Sequence, residues 1–213
     1  MNNNLLRFNK NQKFLIFDYE TCNLNLCSTK NKPWQLSFII AANNKVLETH
    51  DYYLKWDDLE ISKDAAKITG FSMAKYNKLA VCPLEVLSHF ESYLYNEEYI
   101  PAGHNVLGFD VYIHNIHRKL LNMSSDYSYI NRIIDTNCLA KGIAKKLTKP
   151  QNKSSICWQY SLNNHIEKGL RTSLQMCAKK YKIDFDPNKL HDALYDININ
   201  YEVLKKQLWE VEI

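Results

Sequence analysis

KFLIFDYET, residues 13–21, is the stretch from which the fold is read. Phe14 to Phe17 are apolar at every position, the mark of a strand buried on both faces of a sheet. Past that run Asp18 and Glu20 stand two positions apart, so their side chains leave the strand on the same side. Along a strand that spacing is about 6 to 7 Å, a separation that lets two carboxylates bracket a divalent ion. An acid following a buried strand also serves as a solvated turn residue, so the pair needs partners from elsewhere before it carries chemistry.

Two blocks further along supply candidates. YIPAGHN (99–105) reads as a short strand, and VLGFDVYIHNIHRKLL (106–121) has apolar residues at helical spacing. Asp110 therefore falls near the start of a helix, where an acid acts as a cap, as a favourable partner of the helix dipole, or as a ligand. His104 is read as a strand-end histidine. Near the C-terminus Leu190, Leu194, Ile197, Tyr201, Leu204 and Leu208 recur in steps of three and four, which predicts a long amphipathic helix. Residues five apart do not share a helix face. His191 and Asp196 serve one site only if His191 lies on the preceding loop, near Pro187 and Asn188, and Asp196 in the first turns. Asp192 is then an N-cap. A histidine in such a loop, with an unperturbed pKa of about 6.5, suits a general base.

Periodicity predicts strands over 13–19, 34–42, 45–54, 99–104 and 131–135, and helices over 62–68, 82–96, 108–122, 136–147, 172–182 and 192–209. Three strands followed by alternating strands and helices give an α/β domain with a mixed five-stranded sheet flanked by helices. The chain of 213 residues has no linker rich in Pro, Gly or Ser, so 1–213 is expected to be a single domain. Its 5 glycines are each expected at a turn or element end.

Taken together, the blocks resemble the DnaQ-like, or DEDDh, family of 3'-to-5' exonucleases. The family's motifs stand in order: DxE as Asp18 and Glu20, the central aspartate as Asp110 in HNVLGFD, and the last pair as His191 and Asp196. PWQLSFII, AAKITGFS, IIDTNCLAKGI and TSLQMCAKKYKI fall where the family has its second strand, a small helix, an Asp-Thr before a helix and the helix ahead of the last motif. Thr69 stands where relatives commonly carry histidine. Cys22, Asn23 and Leu24 replace the usual Thr-Gly-Leu, with Asn able to take the left-handed conformation of Gly.

The resemblance implies a ribonuclease H-like fold with the first strand central. It implies that Asp18, Glu20, Asp110 and Asp196 hold two divalent cations, Mg2+ or Mn2+, and that His191 takes the proton of the attacking water. Thr21, Leu24 and Asn105, beside these motifs, are expected to contact substrate. The expected reaction is removal of nucleoside 5'-monophosphates from the 3' end of single-stranded nucleic acid, DNA favoured over RNA. RNA trimming is the alternative within the enzyme class. A catalytically silent nucleic-acid-binding module is the alternative outside it, and the presence of all five motif residues speaks against silence.

Composition bounds the rest. A formal net charge of +4 is mild for a dedicated duplex binder. Relatives are shorter around 146–170, so this segment reads as a basic insertion. Lys145, Lys146 and Lys149, with Trp158 and Tyr160 following, are expected to hold single-stranded nucleic acid through phosphate contact and stacking; Trp158 tucked onto the core is the competing reading. The 6 cysteines form no CxxC pair or zinc array and read as reduced thiols, with Cys22 structural despite its place beside the acids. The N-terminal segment is too polar for a signal peptide, and no stretch is long enough to span a bilayer. The expectation is a cytoplasmic protein, with no membrane partner, from an AT-rich bacterial or phage genome.

Overall fold

The computed structural model describes residues 5–213; Met1 to Asn4, the head of the polar N-terminal segment, lie outside the described residues. β1 (Lys13–Thr21), β2 (Pro33–Ala42) and β3 (Lys45–Leu54) form an antiparallel meander. Asn43 and Asn44 close the β2–β3 turn with φ of 51° and 60°, the positive values that a tight two-residue hairpin asks for and that asparagine tolerates. β4 (Ala80–Val81) pairs with β3, β5 (Tyr99–Gly103) with β1, and β6 (Ile134–Asp135) with β5, all in parallel. The order β4-β3-β2-β1-β5-β6 puts β1 inside the sheet, as its unbroken apolar run requires. Leu15, Ile16 and Phe17 are buried accordingly.

The sheet is mixed, as expected, but has six strands instead of five. The additional strand, β4, is only two residues long, too short to leave a periodic signal. The strand predicted at 131–135 shrinks to Ile134–Asp135 because Ser128–Arg132 forms a 3-10 turn. Ile133, the residue after that turn, is buried without joining the strand, so part of the apolar character of this stretch comes from a turn-end residue packed inward.

Eight α-helices cover the described sheet: α1 (Lys63–Thr69), α2 (Met73–Leu79), α3 (Pro83–Leu94), α4 (Asp110–Leu120), α5 (Thr136–Lys145), α6 (Ser155–Asn163), α7 (Leu174–Tyr181) and α8 (Ala193–Gln207). α3 and α4 lie on the face reached by Phe17 and Tyr19. Phe17 packs against Phe90 with ring centroids 5.1 Å apart, and Tyr19 lies 6.1 Å from His117. α8 lies against β1 and β2 and packs on α5 and α7. Because side chains alternate along a strand, Asp18 and Glu20 project away from Tyr19, toward α8.

Two helices, α2 and α6, lie outside those that periodicity predicts. α6 falls inside the segment read as a basic insertion, yet Ile156, Trp158 and Leu162 belong to the main core. Gln159, fully buried, accepts from the Asp135 backbone N–H at 2.7 Å and donates to the Ile133 carbonyl at 2.9 Å. The helix thus stitches β6 to the body of the protein. Its packing also corrects the expectation that every glycine marks an element end. Gly142 lies within α5, where a Cβ would stand 2.9 Å from the Trp158 ring. Among the described residues no helix is long and apolar enough to cross a membrane.

Candidate active site

The fold brings together acids that are up to 178 positions apart in the chain, from Asp18 to Asp196. Asp18 and Glu20 sit on β1 opposite Ser37 and Gln35 of β2. Asp110 is the first residue of α4 and buried, and its Oδ1 accepts from the Tyr19 backbone N–H at 2.9 Å. That bond ties the α4 acid to the residue between the two strand acids. Asp110 does not cap its own helix; its carboxylate is turned to β1. Asp196 lies in the first turn of α8, and Asp192 caps that helix by accepting from the Tyr195 backbone N–H at 3.0 Å.

The acids act on one another. Burial and then the charges of Asp110, Glu20 and Asp196 hold Asp18 well above the usual carboxylate range. Glu20 is raised well above its ordinary value by burial, Asp196 and Asp110. Burial pushes Asp110 up to about 8 against the hydrogen bond from Tyr19, and Asp196 up to about 7 against the one from His191. Among the described residues no three Asp, Glu, His or Cys side chains converge on one point as ligands of a single ion. The donor set is nonetheless all oxygen, and Asp196 Oδ1 is buried without a hydrogen-bond partner. A buried carboxylate oxygen left this way costs free energy unless a cation or donor meets it.

His191 stands on the loop before α8, after the 3-10 turn Pro187–Lys189, in the left-handed region at φ 70°. Its backbone N–H donates to Asp196 Oδ2 at 3.2 Å. The loop therefore curls back onto the helix it precedes, the geometry that a five-residue spacing demands. His191 borders two cavities. One, about 700 Å³, is also lined by Asp18 and Asp196. The other, about 630 Å³, is bounded by Lys67, Thr69, Lys189 and Tyr195. Thr69, in the place where the resemblance expects histidine, donates its hydroxyl to the Ala65 carbonyl at 2.9 Å and so closes its own helix.

The remaining expected residues fall in different places. Thr21 is buried and donates to the Asn23 carbonyl at 2.6 Å, shaping the turn after β1, from which Leu24 projects 84% exposed. Cys22 is buried, donates to the Lys32 carbonyl at 3.1 Å, and is pushed up to about 11 by burial, an unreactive thiol. Asn105 lines the larger cavity. Lys146 and Lys149 line a separate groove with Glu210 and Ile213, and Lys145 pairs with Glu167. These lysines lie at and beyond the C-terminal end of α5, whereas Asn137, at its N-terminal end, borders the acid cavity.

Several residues in and around the cavity are not among those expected to serve the site. Asp135 caps α5 and accepts four backbone N–H groups, from Asn105, Leu107, Asn137 and Cys138, at 2.8 to 3.2 Å. It thereby fixes the β5–α4 turn against α5. The Asp-Thr pair before a helical pattern is the signal for this cap. His104, pushed down to about 4 by burial, shares a 2.9 Å hydrogen bond with Thr136, whose hydroxyl lies 2.6 Å from Asn200 Oδ1. Asn137 and Thr172 fall within IIDTNCLAKGI and TSLQMCAKKYKI without being marked there as site residues, and Arg171 stands just ahead of the second segment.

A family model described as exonuclease matches residues 15–204. Solved structures of exonuclease I share the fold. The zinc-bound complex of E. coli exonuclease I with single-stranded DNA superposes with a TM-score of 0.71 at 18% identity, covering 91% of this chain and 40% of that one. The E. coli complex with a dA16 oligonucleotide gives the same values. The complex with a dT13 oligonucleotide gives 0.69 at 20% identity, over 92% and 40%. The chain thus spans about two fifths of the length of these structures. At such identity the likeness establishes the fold, a ribonuclease H-like sheet with flanking helices. Comparison with curated proteins gave no match.

Proposed function

We propose an activity from the premise that this chain belongs to the DnaQ-like family of 3'-to-5' exonucleases: it hydrolyses single-stranded DNA from the 3' end and releases nucleoside 5'-monophosphates. The observation that carries the reading is the mutual electrostatic reach of Asp18, Glu20, Asp110 and Asp196, with His191 hydrogen-bonded to the last of them.

The four carboxylates fit Mg2+ or Mn2+, which favour oxygen donors. Two such ions would supply positive charge at the phosphate and lower the pKa of water. Asp110 is held by the Tyr19 N–H and Asp196 by the His191 N–H, and with Asp18 and Glu20 they would hold the ions. His191 takes the proton from the attacking water as its oxygen bonds to phosphorus and the bond to the 3' oxygen breaks, that oxygen leaving as a hydroxyl with a proton from solvent. Its loop, anchored to Asp196 by a backbone bond, leaves the imidazole free to do so. Leu24, exposed at the turn after β1, offers apolar surface to the terminal base, with Thr21 holding that turn. DNA is chosen because the solved exonuclease I complexes hold single-stranded DNA. Lys145, Lys146 and Lys149 would meet only a strand long enough to run the length of α5. The free cysteines accord with a reducing cytoplasm, bacterial or that of a phage host.

A 5'-labelled single-stranded oligonucleotide tests the reading. It should give a descending ladder with Mg2+ and none with EDTA, and blunt duplex ends, which must fray first, should be cut more slowly. Immediate release of the 5'-labelled mononucleotide, or cleavage of a circular single strand, would overturn it.

A further inference from the structure

The cavity of about 700 Å³ beside Asp18 and Asp196 has a second wall, of which only Asn105 is among the residues expected to contact substrate. Arg171 is the one permanent cation among the described residues that line it. None of the ion pairs among the described residues includes Arg171. Next to it the Thr172 hydroxyl donates to Asn137 Oδ1 at 2.7 Å, and Asn137 Nδ2 donates to Asn105 Oδ1 at 3.4 Å. Each amide nitrogen carries two protons, so the strip keeps donors beyond those it spends on itself. The strip is also firmly placed. Asp135 holds the backbone N–H of both Asn105 and Asn137 at 2.8 to 2.9 Å, and Asn105 sits at φ 64°.

An anion suits this wall, because a guanidinium without an ion-pair partner beside amide donors matches phosphate and would gain nothing from an apolar or cationic ligand. We propose that Arg171, with Asn105 and Asn137, forms a subsite for the internucleotide phosphate one step 5' of the scissile bond. The inference rests on the exonuclease reading and adds to it a charge requirement. A strand whose terminal phosphate lies at the carboxylates brings its next phosphate close to Asp18 and Asp196 as well. Within the cavity Arg171 is the side chain that offsets that repulsion. The subsite makes a 5'-phosphorylated dinucleotide the shortest substrate bound in full.

The test compares wild type with Arg171→Gln and Arg171→Lys on two dinucleotides with Mg2+: thymidylyl-thymidine and its 5'-phosphorylated form. Arg171 is exposed on a loop, so the variants should melt with wild type. Wild type should favour the phosphorylated form by roughly 10- to 100-fold in kcat/KM, the worth of a hydrogen bond to a charged group, with the difference in KM. Arg171→Gln should bring that ratio close to one. Arg171→Lys, keeping the charge without the fork, should retain part of it. Hydrolysis by wild type with a ratio that Arg171→Gln leaves intact overturns the subsite alone. Hydrolysis of neither dinucleotide nor any longer strand overturns the exonuclease reading, and the subsite with it.

Discussion

On the proposed mechanism, Asp18 and Glu20 are worth more to chemistry than to stability. Both are held above the usual carboxylate range by burial and by their neighbours, so each is a charged group the metal-free fold accommodates at a cost. Asp18→Ala or Glu20→Ala should abolish release of mononucleotides while circular dichroism and melting report an intact fold; wild-type rates in either variant would remove the carboxylates from the mechanism. His191 makes a different contribution. Its backbone N–H, not its ring, bonds to Asp196, so His191→Ala keeps the loop anchor and loses only the imidazole that the proposed mechanism uses as base. Turnover should fall by roughly 10² to 10⁴ fold with KM little changed, and should recover in part at high pH, where hydroxide needs no base. A pH profile identical to wild type would place the base elsewhere. Four of the candidate positions are legible in the sequence because two strand acids at a spacing of two, and a histidine five before a helical acid, each imply a geometry, whereas Asp110 is singled out only by the resemblance. Arg171, Asn137 and Thr172 are not, since they meet the acids only through the packing of α5 against the segment before α7.

Among the elements, α6 shows where sequence patterning fails. Its buried residues, Ile156, Trp158, Gln159 and Leu162, include a polar one and follow no clean stripe, because Gln159 is buried to serve the backbone of β6 and not to fill space. The lysines before it draw attention to charge, while the segment's packing is carried by Trp158. The long elements are legible for the opposite reason: β1 and β2 are nearly continuous buried runs, and α8 keeps its steps of three and four over fifteen residues. Gly142 gives the test at this scale. In α5 an alanine would ordinarily favour the helix by about 1 kcal/mol, but its Cβ would stand 2.9 Å from the Trp158 ring. Overpacking of this kind costs about 1 to 3 kcal/mol, so Gly142→Ala should lower the free energy of urea unfolding. A gain in stability would mean that α6 yields readily and is not a fixed part of the core.

For the molecule as a whole, charge separates into two regions: the carboxylates at one end of α5 and the lysine segment at the other, about 15 Å away over its ten residues. Changing Lys145, Lys146 and Lys149 to Gln should weaken binding of long single strands and reduce the salt slope by about 0.7 for each phosphate no longer neutralised, leaving dinucleotides untouched; filter binding across salt checks this, and equal effects on short and long strands would contradict the separation. The acid end governs how stability responds to pH. A carboxylate whose folded pKa lies above its unfolded value of about 4 is protonated more fully in the folded state, so its stabilising contribution is present at low pH and is lost as pH rises through the folded value. For Asp196 and Asp110 those values are about 7 and about 8. His104, His114 and His117 work in the opposite sense: burial holds all three below 6.5, and their demand for neutrality is met once pH exceeds that value. From about pH 6.5 to about pH 8.5 the histidines are silent and the acids are not. In EDTA the melting temperature should therefore fall across this window. Asp110→Asn keeps an oxygen to accept from the Tyr19 N–H but cannot ionise, and its melting temperature should fall less steeply. Saturating Mg2+ should flatten the wild-type profile, since the cation compensates the charge that each deprotonation adds. A flat profile in EDTA, or one that Asp110→Asn leaves unchanged, would show that the acids do not share the electrostatic strain that the proposed metal binding would relieve.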